Sequence, residues 1–147
     1  MRVTFNHKLE QAFTLVEVVM ATGIAALTMG ASIYGYLLSA QRAEWSAYSL
    51  AAQSLAMQRV EQTRAAKWDP LGFPPVDQLI ATNFPTEINV LDIPVSGTNL
   101  VFATNYTTIS VVSANPPLKA IRVDCVWAFY SGGLFTNSVV TYRAPDQ

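Results

Sequence analysis

Phe13-Thr14-Leu15-Val16-Glu17 opens an apolar run, Val18 to Leu38, of 21 residues without a charge. At about 1.5 Å per helical residue such a run reaches about 30 Å, the hydrocarbon thickness of a bilayer. Glu17 stands at its mouth, where an unpaired carboxylate drawn into lipid would cost about 3 kcal/mol or more. Upstream, residues 1–12 form a polar leader carrying Arg2, His7 and Lys8 against a single acid, Glu10. Basic residues before an apolar segment hold the N-terminus on the cytoplasmic side. A secretory signal peptide would have a shorter apolar core ending at a small-residue cleavage site; this run is too long and continues without a break.

The chain has 147 residues, room for one modest domain plus an anchor. Net charge is −1 and no block of like charge occurs, so there is no electrostatic footprint for nucleic acid or anionic lipid. The single cysteine, Cys125, cannot form an internal disulfide. Its neighbours Val123, Val126 and Trp127 place it on a strand as a packed thiol.

Downstream of the apolar run, Gln41 to Trp68 is rich in Ala, Gln, Arg and Glu and lacks Gly and Pro. One continuous helix from about Thr14 to about Lys67 is therefore expected, its first half (13–40) in the membrane and its second (41–68) amphipathic. Trp45, Tyr48, Ala52, Leu55 and Ala56 share one face, with Val60 displaced to its edge, and form a seam against a C-terminal domain (69–147). Arg42, Glu44, Gln58, Arg59, Glu61, Gln62 and Arg64 make the other surfaces polar, with Glu61 and Arg64 spaced to pair. Asp69-Pro70 stops the helix. Leu71-Gly72-Phe73-Pro74-Pro75 reads as a linker, 76–81 as a helical turn or extended piece, and 85–97 as loop with short extended pieces.

From Asn99 the character turns to β. Leu100 to Val112, Lys119 to Tyr130 and Leu134 to Tyr142 are rich in β-branched and aromatic residues. Asn115-Pro116-Pro117 and Ser131-Gly132-Gly133 separate them. Ile121, Val123, Cys125, Trp127 and Phe129 alternate onto one face. The fold class expected is α+β: a long N-terminal helix packed on an antiparallel sheet of about three strands.

Within the apolar run Gly23, Ala26, Gly30, Ala31 and Gly35 provide small side chains, some at the four-residue spacing that lets membrane helices approach closely. Catalytic signals are sparse. His7 is the only histidine, the acids show no metal-loop spacing, and Gly132-Gly133 is a turn, not a phosphate loop. No enzymatic activity and no cofactor are expected.

Ala12-Phe13-Thr14-Leu15-Val16-Glu17 resembles the cleavage signal of the type IV pilin-like family, the prepilins and the type II secretion pseudopilins. The resemblance implies a cut between Ala12 and Phe13 by a prepilin peptidase, N-methylation of Phe13, and Glu17 as fifth residue of the mature chain. It implies that Glu17 meets the N-terminal amine of Phe13 on a neighbouring subunit, which would offset the acid's desolvation and set axial register. The family usually has glycine before the cut; here Ala12, the next smallest residue, stands there. The helix-then-sheet order agrees with the pilin fold, and the Val123-Asp124-Cys125-Val126-Trp127 pattern looks most like minor pseudopilins of the I class or V-type minor pilins. The calcium loop of major pseudopilins has no counterpart, since only Asp146 stands near the end.

The partners so implied are other pilin or pseudopilin subunits, a prepilin peptidase and methyltransferase, an inner-membrane assembly platform, and membrane lipid. The location implied is the bacterial inner membrane, with a periplasmic C-terminal domain, and a filament after assembly. Two other readings remain at this level. Glu17 could instead snorkel or accept a local hydrogen bond at the helix start, and the chain could be a permanent single-pass anchor whose β-domain binds a periplasmic ligand or secreted substrate.

Overall fold

The computed structural model describes residues 13–91, 100–129 and 132–146. The leader with Ala12, the stretch holding Asp92, Pro94 and Gly97, and the pair Tyr130-Ser131 lie outside the described residues. Among those described, one helix, α1 (Leu15–Ala65), is followed by β1 (Trp68–Asp69), β2 (Val76–Asp77), a 3-10 turn (Ala81–Asn83), β3 (Glu87–Val90), β4 (Phe102–Ala114), β5 (Pro117–Ala128) and β6 (Leu134–Arg143). The class is α+β, with every strand pair antiparallel.

The 51-residue helix lies within a stretch that lacks proline, and three residues separate its end at Ala65 from Asp69-Pro70. The chain divides into two units, one ending at Arg42 and one beginning at Ala43. In the first, every residue from Phe13 to Arg42 is exposed.

In the second unit the main sheet has the order β3-β4-β5-β6, and β1 and β2 form a separate two-stranded ribbon. The sheet therefore has four strands, not three. The extra one, β3, pairs Glu87–Val90 with Phe102–Asn105 of β4. Its alternation is inverted: Ile88 and Val90 are exposed while Glu87 and Asn89 are half-buried. The period of a strand is present in Glu87-Ile88-Asn89-Val90, but over only four residues and with the polar side chains turned inward it does not mark out a core-facing strand in sequence. Between β5 and β6, Gly132 adopts φ 84, a region open to glycine without a Cβ penalty, and its N–H donates to Phe129 O at 2.9 Å.

Ile121, Val123, Cys125, Trp127 and Phe129 all face one side of the sheet and are buried there. From the helix come Tyr48, Ala52, Ala56 and Val60, and from the connecting segment Trp68, Leu79, Phe84 and Leu91, to make one core. Two expectations for the helix need correction. Val60, at 1% exposure, sits in the core and not at its edge, and Arg59 is buried, not on a polar surface. Residues 52, 56, 59, 60 and 63 are spaced by three and four, so a core closed on its flank by the connecting segment takes in all five.

Trp127 is the hub. Tyr48 stacks on it at 5.8 Å between centroids and Phe135 at 5.0 Å, while Trp45 approaches at 6.1 Å. Its Nε1 donates to Asn137 Oδ1 at 2.8 Å, and Asn137 Nδ2 donates to Ser49 Oγ at 3.1 Å, so the ring's one polar atom is satisfied.

A polar latch closes the other end. Trp68 N donates to Asp146 Oδ2 and Asp146 N donates to Trp68 O, both at 2.8 Å. Arg143 bonds Asp146 at 2.6 Å and donates to Thr63 O, a last-turn carbonyl of α1, at 2.8 Å. Lys119, buried over the Trp68 ring, pairs with Asp77 at 2.6 Å and donates to Leu79 O at 2.8 Å.

Trp127→Ala is expected to cost about 3–5 kcal/mol, read from denaturant unfolding of the C-terminal unit; a loss below about 1 kcal/mol would remove the ring from its central place. The Trp68 N–H, with Arg143 second, holds the Asp146 carboxyl below its ordinary value. A depressed acid supports the fold above the ordinary value of 3.8 and withdraws that support as pH falls below it. Hydrogen exchange at the Trp68 amide, corrected for intrinsic pH dependence, should accelerate on such acidification and in Asp146→Ala at neutral pH. Equal protection in wild type and variant would show that the latch holds nothing.

Candidate functional site

The N-terminal stretch begins with a reciprocal cap. Thr14 precedes the first helical residue and Glu17 follows three positions later, the spacing at which the two side chains satisfy each other's backbone donors. Thr14 N donates to Glu17 Oε2 at 2.8 Å, Thr14 Oγ1 donates to the same oxygen at 2.9 Å, and Glu17 N donates to Thr14 Oγ1 at 3.3 Å. Both donors fall on Oε2, which leaves Oε1 without a partner among the described residues. Phe13, just ahead of the cap, is 84% exposed. Ala12 lies outside the described residues.

Along the following turns the Thr and Ser hydroxyls are turned back on the helix. Thr22 donates to Val18 O at 2.9 Å, Thr28 to Ala25 O at 2.9 Å and Ser32 to Thr28 O at 2.8 Å. None of these three leaves an unsatisfied donor, a condition that hydrocarbon imposes on any polar group inside it. Among the described residues α1 is the one helix long and apolar enough to cross a membrane.

Gly23, Ala26 and Gly30 share one face of α1, and Ala31 and Gly35 an adjacent one. A Cβ added at Gly23, Gly30 or Gly35 would meet nothing within 4 Å. Among the described residues no packing requires these glycines.

In the C-terminal unit the charged side chains are mostly tied up in pairs. Arg59 meets Glu87 at 2.9 Å, Lys119 meets Asp77, and Arg143 meets Asp146. On the outer face of the sheet Arg122 pairs with Asp124 at 2.9 Å, which, with help from the Ser138 hydroxyl, holds the Asp124 carboxyl below its ordinary value. Among the described residues no three His, Cys, Asp or Glu side chains come together as metal ligands. Cys125 is buried, and desolvation pushes its thiol up to about 11.

Sequence reasoning missed the polar group around Arg59. The guanidinium donates from Nε to Thr107 Oγ1 at 3.2 Å, from Nη1 to Gln62 Oε1 at 2.8 Å and Glu87 Oε1 at 2.9 Å, and from Nη2 to the Pro85 carbonyl. The available signal was the position of Arg59 in the stripe with Ala52, Ala56 and Thr63. Gln62 is a helical neighbour, but Pro85, Glu87 and Thr107 lie too far along the chain for any local pattern to name them.

No family model matches this chain, and no curated protein and no solved structure matches it. The class defined by fold and segment is thus an α+β domain on a helix with one candidate membrane span.

With its thiol shifted from 9.0 to about 11, native Cys125 should alkylate at pH 8 at least about 100 times more slowly than in denaturant. A raised thiol favours the folded state below pH 9 and gives up that contribution as pH rises toward 11, so alkaline unfolding should expose it. Equal rates, followed with iodoacetamide by mass, would mean an open thiol.

Proposed function

We propose that this chain is a structural subunit, of the minor class, of a type II secretion pseudopilus or type IV pilus. A prepilin peptidase cuts between Ala12 and Phe13, and the Phe13 amine is methylated. The chain waits in the inner membrane with its C-terminal domain in the periplasm, until an assembly platform adds it to a filament of related subunits. In that filament α1 packs in the core through Gly23, Ala26, Gly30, Ala31 and Gly35, and the sheet lies outside. Extrusion draws on a separate cytoplasmic ATPase.

The observation that carries this reading is the Phe13–Glu17 stretch at the head of an unbroken apolar helix that leads into a small α+β domain. Two further features support it. Gly23, Gly30 and Gly35 meet nothing among the described residues, as residues kept for helix–helix approach would. Glu17 keeps Oε1 open while Thr14 caps Oε2, so a neighbour's Phe13 ammonium has a carboxylate oxygen to meet without the cap being undone. Such a pair lowers the cost of an acid at the edge of lipid.

The local cap also favours a second reading, a permanent single-pass anchor in which Glu17 needs only Thr14 and the helix dipole. The native N-terminus separates the two. Mass spectrometry should find a chain beginning at methylated Phe13; an intact Met1 would overturn the subunit reading. Glu17→Ala should still insert and be cut but should not enter filaments, and normal incorporation would end the pairing role assigned to Glu17.

A further inference from the structure

A polar pocket of about 120 Å³ lies where the second unit's part of α1 meets β3 and β4, walled chiefly by Gln58, Arg59, Gln62, Glu87, Asn89 and Asn105. At roughly 30 Å³ per water it has room for about four waters. Asn105 is 2% exposed, yet its Oδ1 has no hydrogen-bond partner among the described residues. A buried acceptor left in that state is costly, and folded proteins retain few of them. An orphan acceptor on a residue lining a polar pocket points to an occupant that donates a hydrogen bond.

The walls restrict what that occupant is. Each of the three nitrogens of Arg59 donates a hydrogen bond, to Thr107, Gln62, Glu87 or Pro85, and none of these bonds goes to Asn105. A metal cation would sit beside this guanidinium, and an anion would face both Glu87 and the Asn105 carbonyl. The Arg59–Glu87 pair leaves the wall with no net charge. What remains are the amides of Gln58 and Asn89, each able to donate and to accept. The group that complements such a wall is uncharged and both donates and accepts, which is the chemistry of a hydroxyl.

We propose that this pocket binds an uncharged polyhydroxyl ligand, one edge of a sugar ring or a short polyol, with one hydroxyl donating to Asn105 Oδ1 and its neighbours bonded to the Gln58 and Asn89 amides. The site is independent of how the chain is processed or assembled. The test uses the full chain in micelles of a zwitterionic detergent that carries no hydroxyl groups. Methyl α-glucoside, N-acetylglucosamine and glycerol are titrated separately while the Asn105 side-chain amide is followed by NMR.

A saturable shift with Kd in the millimolar range, about 1–10 mM, is expected from at least one probe. Response to a sugar without glycerol assigns a ring; response to glycerol assigns a short polyol. Asn105→Leu keeps the branched outline of the side chain, removes the acceptor, and should weaken binding by about tenfold or more, read at the Thr104 backbone amide. Asn89→Ala, on an edge strand where folding is least at risk, should weaken it several-fold. If no probe saturates, water alone fills the pocket and the proposal fails; it fails equally if both variants bind like the wild type.

Discussion

Ala52 and Ala56 are fully buried, and their small side chains bring the backbone of α1 close to the apolar face of the sheet, whose flank the connecting segment closes. The aromatic group around Trp127 fits this close spacing, with Tyr48 above and Phe135 beside the ring. A four-stranded sheet with one apolar face cannot stand in water by itself, and burying each large apolar side chain contributes about 1.5–3 kcal/mol. The sheet therefore depends on this stretch of helix. Bulkier residues at 52 and 56 would separate the two layers that the aromatic cluster joins.

Around that apolar seam, two buried cations, Arg59 and Lys119, and a half-buried one, Arg143, fix what packing alone leaves free. Arg59 ties the helix to β3 and β4, Lys119 ties β5 to the segment after β2, and Arg143 ties β6 to the last turn of α1. Each makes hydrogen bonds to a carbonyl or hydroxyl as well as to an acid. A buried cation with its donors satisfied specifies geometry, whereas one left unpaired would be strongly destabilising. The short strand β3 depends on this arrangement. Its inward-facing residue Glu87 meets Arg59, so an ion pair fills the place where another sheet would put an apolar side chain.

The N-terminal segment follows a different rule. The hydroxyls of Thr22, Thr28 and Ser32 bond to their own helix, Gly23, Gly30 and Gly35 meet nothing among the described residues, and Glu17 shares a reciprocal cap with Thr14. These are local arrangements, and they suit a segment surrounded by something other than water. The proposed subunit role adds one requirement to them, a cation at the open oxygen of Glu17. The rest of the segment is the same whether it meets lipid or other helices.

Much of this was legible in the residues themselves. Helix, stop at Asp69-Pro70, and three long strands follow from breakers and from periods of 3.6 and 2, which are local properties. The alternation from Ile121 to Phe129 identified the buried face of β5, and Phe13–Glu17 with its apolar run identified the segment on which the proposed function rests. The fourth strand, the burial of Arg59 and Val60, and the orphan carbonyl of Asn105 were decided only in three dimensions. In each case the deciding partner lies on another element: β3 exists because β4 pairs with it, and Arg59 goes inside because Glu87, Pro85 and Thr107 meet it there. Local sequence encodes a residue's own conformational and hydrophobic preference; it does not encode which distant group will pay for burying a charge.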